Sequence, residues 1–394
     1  MKIQVLHIIS DRRRGGAGSY LLNFLRAFDR SALEVSVLCP PESELLPAAA
    51  ELGVAAVACP GLQPDRSFHL RGLGRLYREL RRRRRQGLQL VHTHGSFSGR
   101  LAARLAGVPA ILYTRHRLDA PWPAHGWRSA GWRWLDRITA DRVIAVSRAV
   151  AAQLAAQGMA PERVCLIYNG VDLPGLRRRA AAAQPAAAPA AGPRLGVVAR
   201  LEPEKGQDVL LRAAVELSRE FPGLRIDLVG GGSQEAAWRE LAAQLGLSGR
   251  VRLVGPQPDP VPWLLGFDVV VVPSREEAFG LSLVEAMALG RPCVASGVGG
   301  IREIAGAGEE AGAAEKAGAG AKMRAEAAVR LVPPDDPPAL AAALAELLRR
   351  PEAAQALGER GRLAAERFSA KRMAGEMTAL YQQLVKERIG SNRS

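Results

Sequence analysis

Cysteine is scarce in this 394-residue chain: four residues, Cys39, Cys59, Cys165 and Cys293, with no CxxC pair among them. That spacing excludes a structural zinc motif and a disulfide framework, and a reducing cytoplasm is the simplest home for it. Aromatic residues make up only 5% of the chain and apolar residues 48%, a balance that fits a soluble α/β protein and argues against a disordered or fibrous one. No apolar run approaches the ~20 residues a bilayer span requires. The opening residues 1–9 lack the long apolar region and cleavage site of a secretory leader. No Gly-Lys-Ser/Thr run is present, which excludes a P-loop, and no Asp-x-Asp pattern offers carboxylates to a metal.

Lysine is also rare, six of the 54 basic residues, yet the net charge is +15. The excess is concentrated. Residues 1–172 hold 25 Lys and Arg against 13 Asp and Glu, whereas residues 173–394 hold 29 against 26. A basic N-terminal half beside a nearly neutral remainder suits an anionic partner, although Arg- and Ala-rich usage alone accounts for part of it.

Short β-rich runs alternate with amphipathic stretches from the start. Strand-like runs fall at 3–9, 35–39, 54–58, 88–92, 110–113, 142–146 and 164–167, with helical patterns at 20–28, 70–85 and 98–106 between them. After residues 176–193, an Ala/Pro-rich stretch that reads as a linker, the alternation resumes. Strands are expected at 195–199, 225–229, 251–254, 269–272 and 292–295, and helices at 207–220, 234–245 and 281–289. Near-continuous apolar strands separated by helices predict parallel, doubly wound sheets. The expected organisation is an N-terminal Rossmann-like domain over 1–175, the linker, a second such domain over 194–370, and a C-terminal helix and tail over 371–394. Residues 306–328 are Ala, Gly, Glu and Lys with almost nothing large and apolar, and read as a solvated insertion.

Two segments carry chemistry. In 273–290 a strand ends at Pro273, a turn with Gly280 follows, and a helix opens near Leu281. Free amides at such a helix start attract phosphate or sugar oxygens, and Glu277 and Glu285 bracket the helix start. In 196–206 a strand delivers Arg200, and Lys205 follows across a proline-bearing turn; an Arg fork and a Lys point charge suit a diphosphate. Taken alone, Glu277 also reads as a helix N-terminal charge and Glu285 as a solvated helical residue, and Arg200 and Lys205 as ordinary surface partners of Glu202 and Glu204.

Together the spacing Arg200-x4-Lys205 with Glu277 and Glu285 resembles the family 4 retaining glycosyltransferases of the GT-B fold, known as glycosyl transferases group 1. Gly15-Gly16-Ala17-Gly18, the segments His92-Thr93-His94-Gly95 and Thr114-Arg115-His116, and Gly299-Gly300-Ile301 resemble further family segments. The resemblance implies two Rossmann-like domains facing a central cleft, with the C-terminal helix returning to the first. It implies that Arg200 and Lys205 neutralise the departing diphosphate and that Glu285 holds the ribose. Glu277 would hold the sugar hydroxyls, with His116 near the anomeric centre. The amides of Phe279, Gly280, Leu281 and Ser282 would line the donor, and Gly15 and Gly16 would let the backbone approach its phosphate. The donor would be a nucleotide diphosphate sugar, UDP before GDP, and the acceptor a saccharide or lipid-linked saccharide of cell-envelope or lipopolysaccharide synthesis. No cofactor and no metal are implied.

Three rivals stand beside that reading. A nucleotide-sugar epimerase of related fold shares the donor residues. An NAD-dependent oxidoreductase fits poorly: Gly16-Ala17-Gly18-Ser19-Tyr20-Leu21 fails the last glycine of GxGxxG, and Cys39-Pro40-Pro41 ends the second strand without a ribose-binding acid. His92-x-His94 invites a metal, but sequence spacing supplies no third ligand. Four of the six tryptophans lie in 121–134, interleaved with arginine. With Arg81 to Arg85, they point to peripheral association with an anionic inner membrane face, and no recognised module points to nucleic acid.

Overall fold

The computed structural model describes residues 2–12, 15–62, 70–118, 134–186, 192–306 and 327–390. The chain divides into two units, residues 1–172 with 368–394 and residues 173–367.

The first unit is built on β1 (Ile3–Ile9), β2 (Leu33–Cys39), β3 (Ala55–Ala58), β4 (Leu90–His94), β5 (Ala110–Arg115), β6 (Arg142–Ala145) and β7 (Val164–Leu166). They form one parallel sheet in the order β3-β2-β1-β4-β5-β6-β7. Central strands carry apolar residues on both faces because helices cover both; in β1, Val5 to Ile9 are all buried. On one face the helix Gly16–Ala27 contributes Tyr20, Leu21, Phe24 and Leu25 to the core. The C-terminal helix Ala370–Gly390 returns to the same core with Met373, Met377, Tyr381 and Leu384, the helical stripe legible in its sequence.

The second unit repeats the scheme with β8 (Arg194–Val198), β9 (Arg225–Val229), β10 (Val251–Gly255), β11 (Val269–Val272), β12 (Cys293–Ser296) and β13 (Arg330–Val332). Their parallel order is β10-β9-β8-β11-β12-β13. In both sheets the order reverses beside the first strand, between β1 and β4 and between β8 and β11. Ligands of doubly wound folds bind at the carboxyl ends of such strand pairs.

The structure departs from the sequence reading in three places. The first seven residues of the expected linker, 176–182, belong to a helix, Leu173–Ala182, with Leu173 and Leu176 buried. Arg and Ala are strong helix formers, and two leucines three apart suffice to dock one face. The first unit accordingly ends at Asp172 rather than 175, and the second at Arg367 rather than 370. Helices that apolar periodicity does not single out, Pro337–Arg349 and Pro351–Ala365, close the second unit. The former is started by Asp336, whose side chain accepts from the Ala339 amide, with Pro337 at the first helical position. The tryptophan-rich stretch, apart from Trp134, and the bulk of the Ala/Gly-rich segment lie outside the described residues.

Candidate active site

In the second unit the loops leaving β8 and β11 meet. Lys205 ends a single 3-10 turn, Pro203–Lys205, and Gly206 follows at φ +64°. A Cβ there would lie 2.0 Å from the Pro273 carbonyl oxygen, so only glycine lets the two loops approach this closely. The approach brings Lys205 Nζ to 2.6 Å from Glu277 Oε2, both side chains mostly shielded from solvent. Glu277 is held from behind, its carbonyl accepting from the Gly300 amide at 3.0 Å.

The helix Leu281–Ala288 starts from Gly280 at φ +112°, a conformation that favours glycine. Its first-turn amides lack intrahelical acceptors, so Leu281 and Ser282, both half-buried, offer donors beside Glu277, while Phe279 is buried beneath the turn. Glu285 lies about one turn into the helix and is half-buried. Arg200 is exposed at the end of β8 and pairs with Glu204 at 2.8 Å, not with the Lys205–Glu277 pair.

Arg275 is the residue that motif reading passed over. Its guanidinium binds Asp208 through two hydrogen bonds at 2.8 and 2.7 Å, Asp335 at 2.6 Å and the Pro203 carbonyl at 2.7 Å. Its own amide donates to the Glu204 carbonyl. Hydrogen bonding to Asp208 raises its pKa further. One side chain thereby ties together the loops after β8, β11 and β13 and fixes where Lys205 and Glu277 sit. Asp335 is the one described non-glycine residue at positive φ, +54°. The sequence signal was slight: an arginine two residues after a strand end.

At the corresponding reversal in the first unit the chemistry is different. Gly15 caps the helix Gly16–Ala27, and a Cβ on Gly15 or Gly16 would meet no protein atom within 4 Å. Packing within the described residues therefore does not demand glycine at either position. Below them lie four histidines from β1, β4 and the end of β5. His7 Nδ1 is 3.0 Å from His94 Nε2, and His94 Nδ1 is 3.0 Å from His116 Nε2. His92 Nδ1 is 2.6 Å from the Tyr381 hydroxyl and His92 Nε2 is 2.7 Å from Thr114 Oγ1. Tyr381 also reaches His7 Nε2 at 3.5 Å. Tyr20 stands edge-on to His116, ring centres 4.8 Å apart.

Burial holds these rings neutral: the pKa values of His7 and His116 are lowered to about 3, and those of His92 and His94 fall well below the ordinary value, pushed further by neighbouring histidines. His116 keeps part of its surface open, whereas the other three are fully enclosed. Three of the rings bring nitrogens within 4.8 Å of one another, so the fold supplies in His7 the third member that spacing could not. All six nitrogens of that trio are nonetheless committed to one another, to His116 or to the two hydroxyls, a pattern of a hydrogen-bonded chain rather than of lone pairs converging on an ion.

The four cysteines are free, and burial raises the Cys39 thiol to about 11 and Cys293 to about 12. Among the described residues no helix is long and apolar enough to cross a membrane.

Comparison with known proteins places these features. Residues 14–174 match Glycosyltransferase Family 4 and residues 180–364 match Glycosyl transferases group 1. The D-inositol 3-phosphate glycosyltransferase of Thermobispora bispora is 34% identical over 76% of this chain and 71% of its own. The protein of that name from Kineococcus radiotolerans is 32% identical over 95% of this chain and 92% of its own. Among solved structures, the Anabaena HepE protein in complex with UDP-glucose shares the fold with a TM-score of 0.72 at 20% identity, over 99% of this chain and 100% of its own. With both halves matched in order and both sheets parallel and doubly wound, the chain belongs to the group 1, family 4 glycosyltransferases and has their GT-B fold.

Proposed function

We propose that this glycosyltransferase moves a sugar, with retention of anomeric configuration and without a metal, from a nucleotide diphosphate sugar held by the second unit to an acceptor bound by the first. The observation that carries the reading is the Lys205–Glu277 pair, seated where the second sheet reverses its strand order. Breaking a sugar–phosphate bond develops negative charge on the departing diphosphate and positive charge on the ring. Lys205 and Arg200 stabilise the former as fixed cations, Arg200 swinging from Glu204 to do so. Glu277, released from Lys205, accepts from the sugar hydroxyls, and Glu285 binds the ribose. The amides of Phe279 to Ser282 line the phosphate, Gly15 and Gly16 admit it closely, and His116 contacts the transferred sugar. The leaving phosphate takes the acceptor's proton.

UDP is the preferred carrier, supported by the UDP-glucose complex of the Anabaena neighbour. The acceptor is a saccharide or lipid-linked saccharide of the cell envelope. The basic first unit favours one that bears phosphate, and the relatives' name makes a phosphorylated cyclitol the first to try. Arg78, Arg81, Arg82 and Arg85, gathered around an open cavity of about 360 Å³, supply the charge for peripheral contact with an anionic membrane. Incubation with UDP- and GDP-sugars, an acceptor panel and EDTA tests all of this, with the product's anomeric configuration read by NMR. Epimerised donor without transfer would replace the reading with the epimerase; loss of turnover in EDTA, restored by a divalent cation, would remove metal independence.

A further inference from the structure

The histidine chain has a direction, and the geometry at its inner end sets it. Each neutral imidazole has one N–H and one lone pair, so a continuous chain polarises one way or the other along its whole length. The 2.6 Å separation of Tyr381 and His92 Nδ1 is shorter than the usual N–H···O range and suits a phenol O–H donor; phenol is also the stronger acid of the two. His92 Nδ1 is then the acceptor, and its Nε2–H donates to Thr114 at 2.7 Å. The Tyr20 hydroxyl lies outside this chain and donates to Met377 Sδ at 3.1 Å. With Thr114 accepting from His92, the direction set by the Tyr381 donor leaves His92 with one accepting and one donating nitrogen. Followed outward, His7 Nε2–H donates to Tyr381, His94 Nε2–H to His7 Nδ1, and His116 Nε2–H to His94 Nδ1.

We infer that this chain fixes His116 as the Nε2–H tautomer and presents its Nδ1, the one ring nitrogen of the four histidines without a partner among the described residues, as an acceptor for a ligand hydroxyl, with Tyr381 and Thr114 as positioning residues. The inference deepens the proposed role of His116 at the transferred sugar and rests on that role only for its consequence in turnover.

The full-length protein carrying 15N-histidine reports the tautomer directly, through the pyridine-type or pyrrole-type shift of each ring nitrogen. His116 is expected to show an unprotonated Nδ1. Tyr381→Phe removes both the donor to His92 and the acceptor for His7. Thr114→Val keeps the side chain's shape and every ring but removes the acceptor of the His92 Nε2–H. Each is expected to move His116 to a mixture of tautomers and to lower kcat roughly 3- to 10-fold, the worth of one hydrogen bond, with the donor KM unchanged. An Nδ1–H tautomer in the wild type overturns the inference, as does an unmoved tautomer in both folded variants. Stoichiometric zinc that shifts His7, His92 and His94 together also overturns it, in favour of a metal site. If instead the tautomer behaves as expected while His116→Ala retains full turnover, the role at the sugar fails and the tautomer assignment stands.

Discussion

The two units place opposite electrostatics at equivalent positions of one topology. Where the second sheet reverses, charge is on display: Lys205 against Glu277, Arg200 against Glu204, Arg275 against two aspartates. Where the first reverses, charge is withheld, and four imidazoles lie neutral in a chain of hydrogen bonds. The Arg200–Glu204 pair, which water reaches, is weak enough to trade its partner for a ligand, whereas the mostly shielded Lys205–Glu277 pair holds its charges in place. A buried neutral network is costly to disturb and holds direction instead. The fold fixes where a ligand goes; the loop residues decide whether it is met by charge or by geometry.

Acid should break the symmetry first and most strongly. The folded pKa values of His7, His92 and His94 lie below the unfolded value, so the unfolded chain takes up protons as pH falls below about 6.5 while the folded unit does not. The share from His7 is therefore whole above that pH and lost on descent toward about 3, at about 1.4 kcal/mol per pH unit, and His92 and His94 add to the loss in the same direction. In the second unit Glu202 and Glu220 are lowered by hydrogen bonds to Ser233 and Arg349; their contribution persists down to the unfolded carboxylate range near ~4.3 and is lost only beneath it. Hydrogen exchange followed peptide by peptide at pH 7, 6 and 5 should show the first unit opening while the second stays protected. Equal protection in both at pH 5 would mean the histidines are not held neutral.

Next in size is the cation itself. Lys205→Ala should lower transfer by about 10²–10³, or roughly 3–4 kcal/mol of transition-state stabilisation, with the second unit still folded. A folded Lys205→Ala protein of near-normal turnover with a true acceptor would remove Lys205 from the site. The corresponding variant of the first unit, His116→Ala, removes no charge, and its smaller loss is the other half of the comparison.

The contrast also separates what the sequence revealed from what it hid. The meeting of Lys205 with Glu277 beside a glycine-started helix was foreshadowed because Lys205, Glu277, Gly280 and Glu285 lie on two short linear motifs at strand ends. Alternating apolar runs revealed both sheets, with β1, β9 and β11 bounded as expected, because strands buried on both faces read as unbroken Val/Ile/Leu. The histidine chain was not legible as a chain. His7 lies 85 residues from His92 and Tyr381 a further 289 beyond, and only the pairing of β1 with β4 and the return of the C-terminal helix join them. Arg275 was hidden for the same reason: its partners lie far off in sequence, Asp208 in the first turn of the helix Gln207–Glu220 and Asp335 after β13. The helix Leu173–Ala182 was misread because arginine and alanine suit both a linker and a helix, and only two buried leucines decide.

Arg275→Ala sharpens the comparison by loosening the charged site while leaving Lys205, Glu277 and Arg200 in place. The Asp208 carboxylate is mostly shielded while the guanidinium is about one-third exposed, so solvent screens part of the interaction. A loss of about 1–2 kcal/mol is expected, between the values for exposed and buried pairs. Urea unfolding should show the lower midpoint. The KM for donor should rise more than kcat falls, because the loop carrying Lys205 loses its anchor. An unchanged KM with lowered stability would make Arg275 a brace for the fold alone.

The smallest effect on stability is expected at Gly16, and there its sign carries the argument. Gly206 has no room for a side chain because the Pro273 carbonyl lies against it. At Gly16 an added methyl meets no described atom within 4 Å, the backbone is not in the left-handed region, and the residue is exposed as the first of its helix. Alanine is the better helix former and restricts the unfolded chain, so Gly16→Ala should stabilise the first unit by up to about 0.4–1 kcal/mol. The proposed role of Gly16, close approach of a donor phosphate, would account for a glycine that packing does not demand. The thermal midpoint of Gly16→Ala should therefore rise slightly while the donor KM rises with it, since the methyl would stand where a phosphate oxygen meets the backbone. A raised midpoint with unaltered kinetics would leave the glycine without a ligand, and a lowered midpoint would show that the fold itself holds this position.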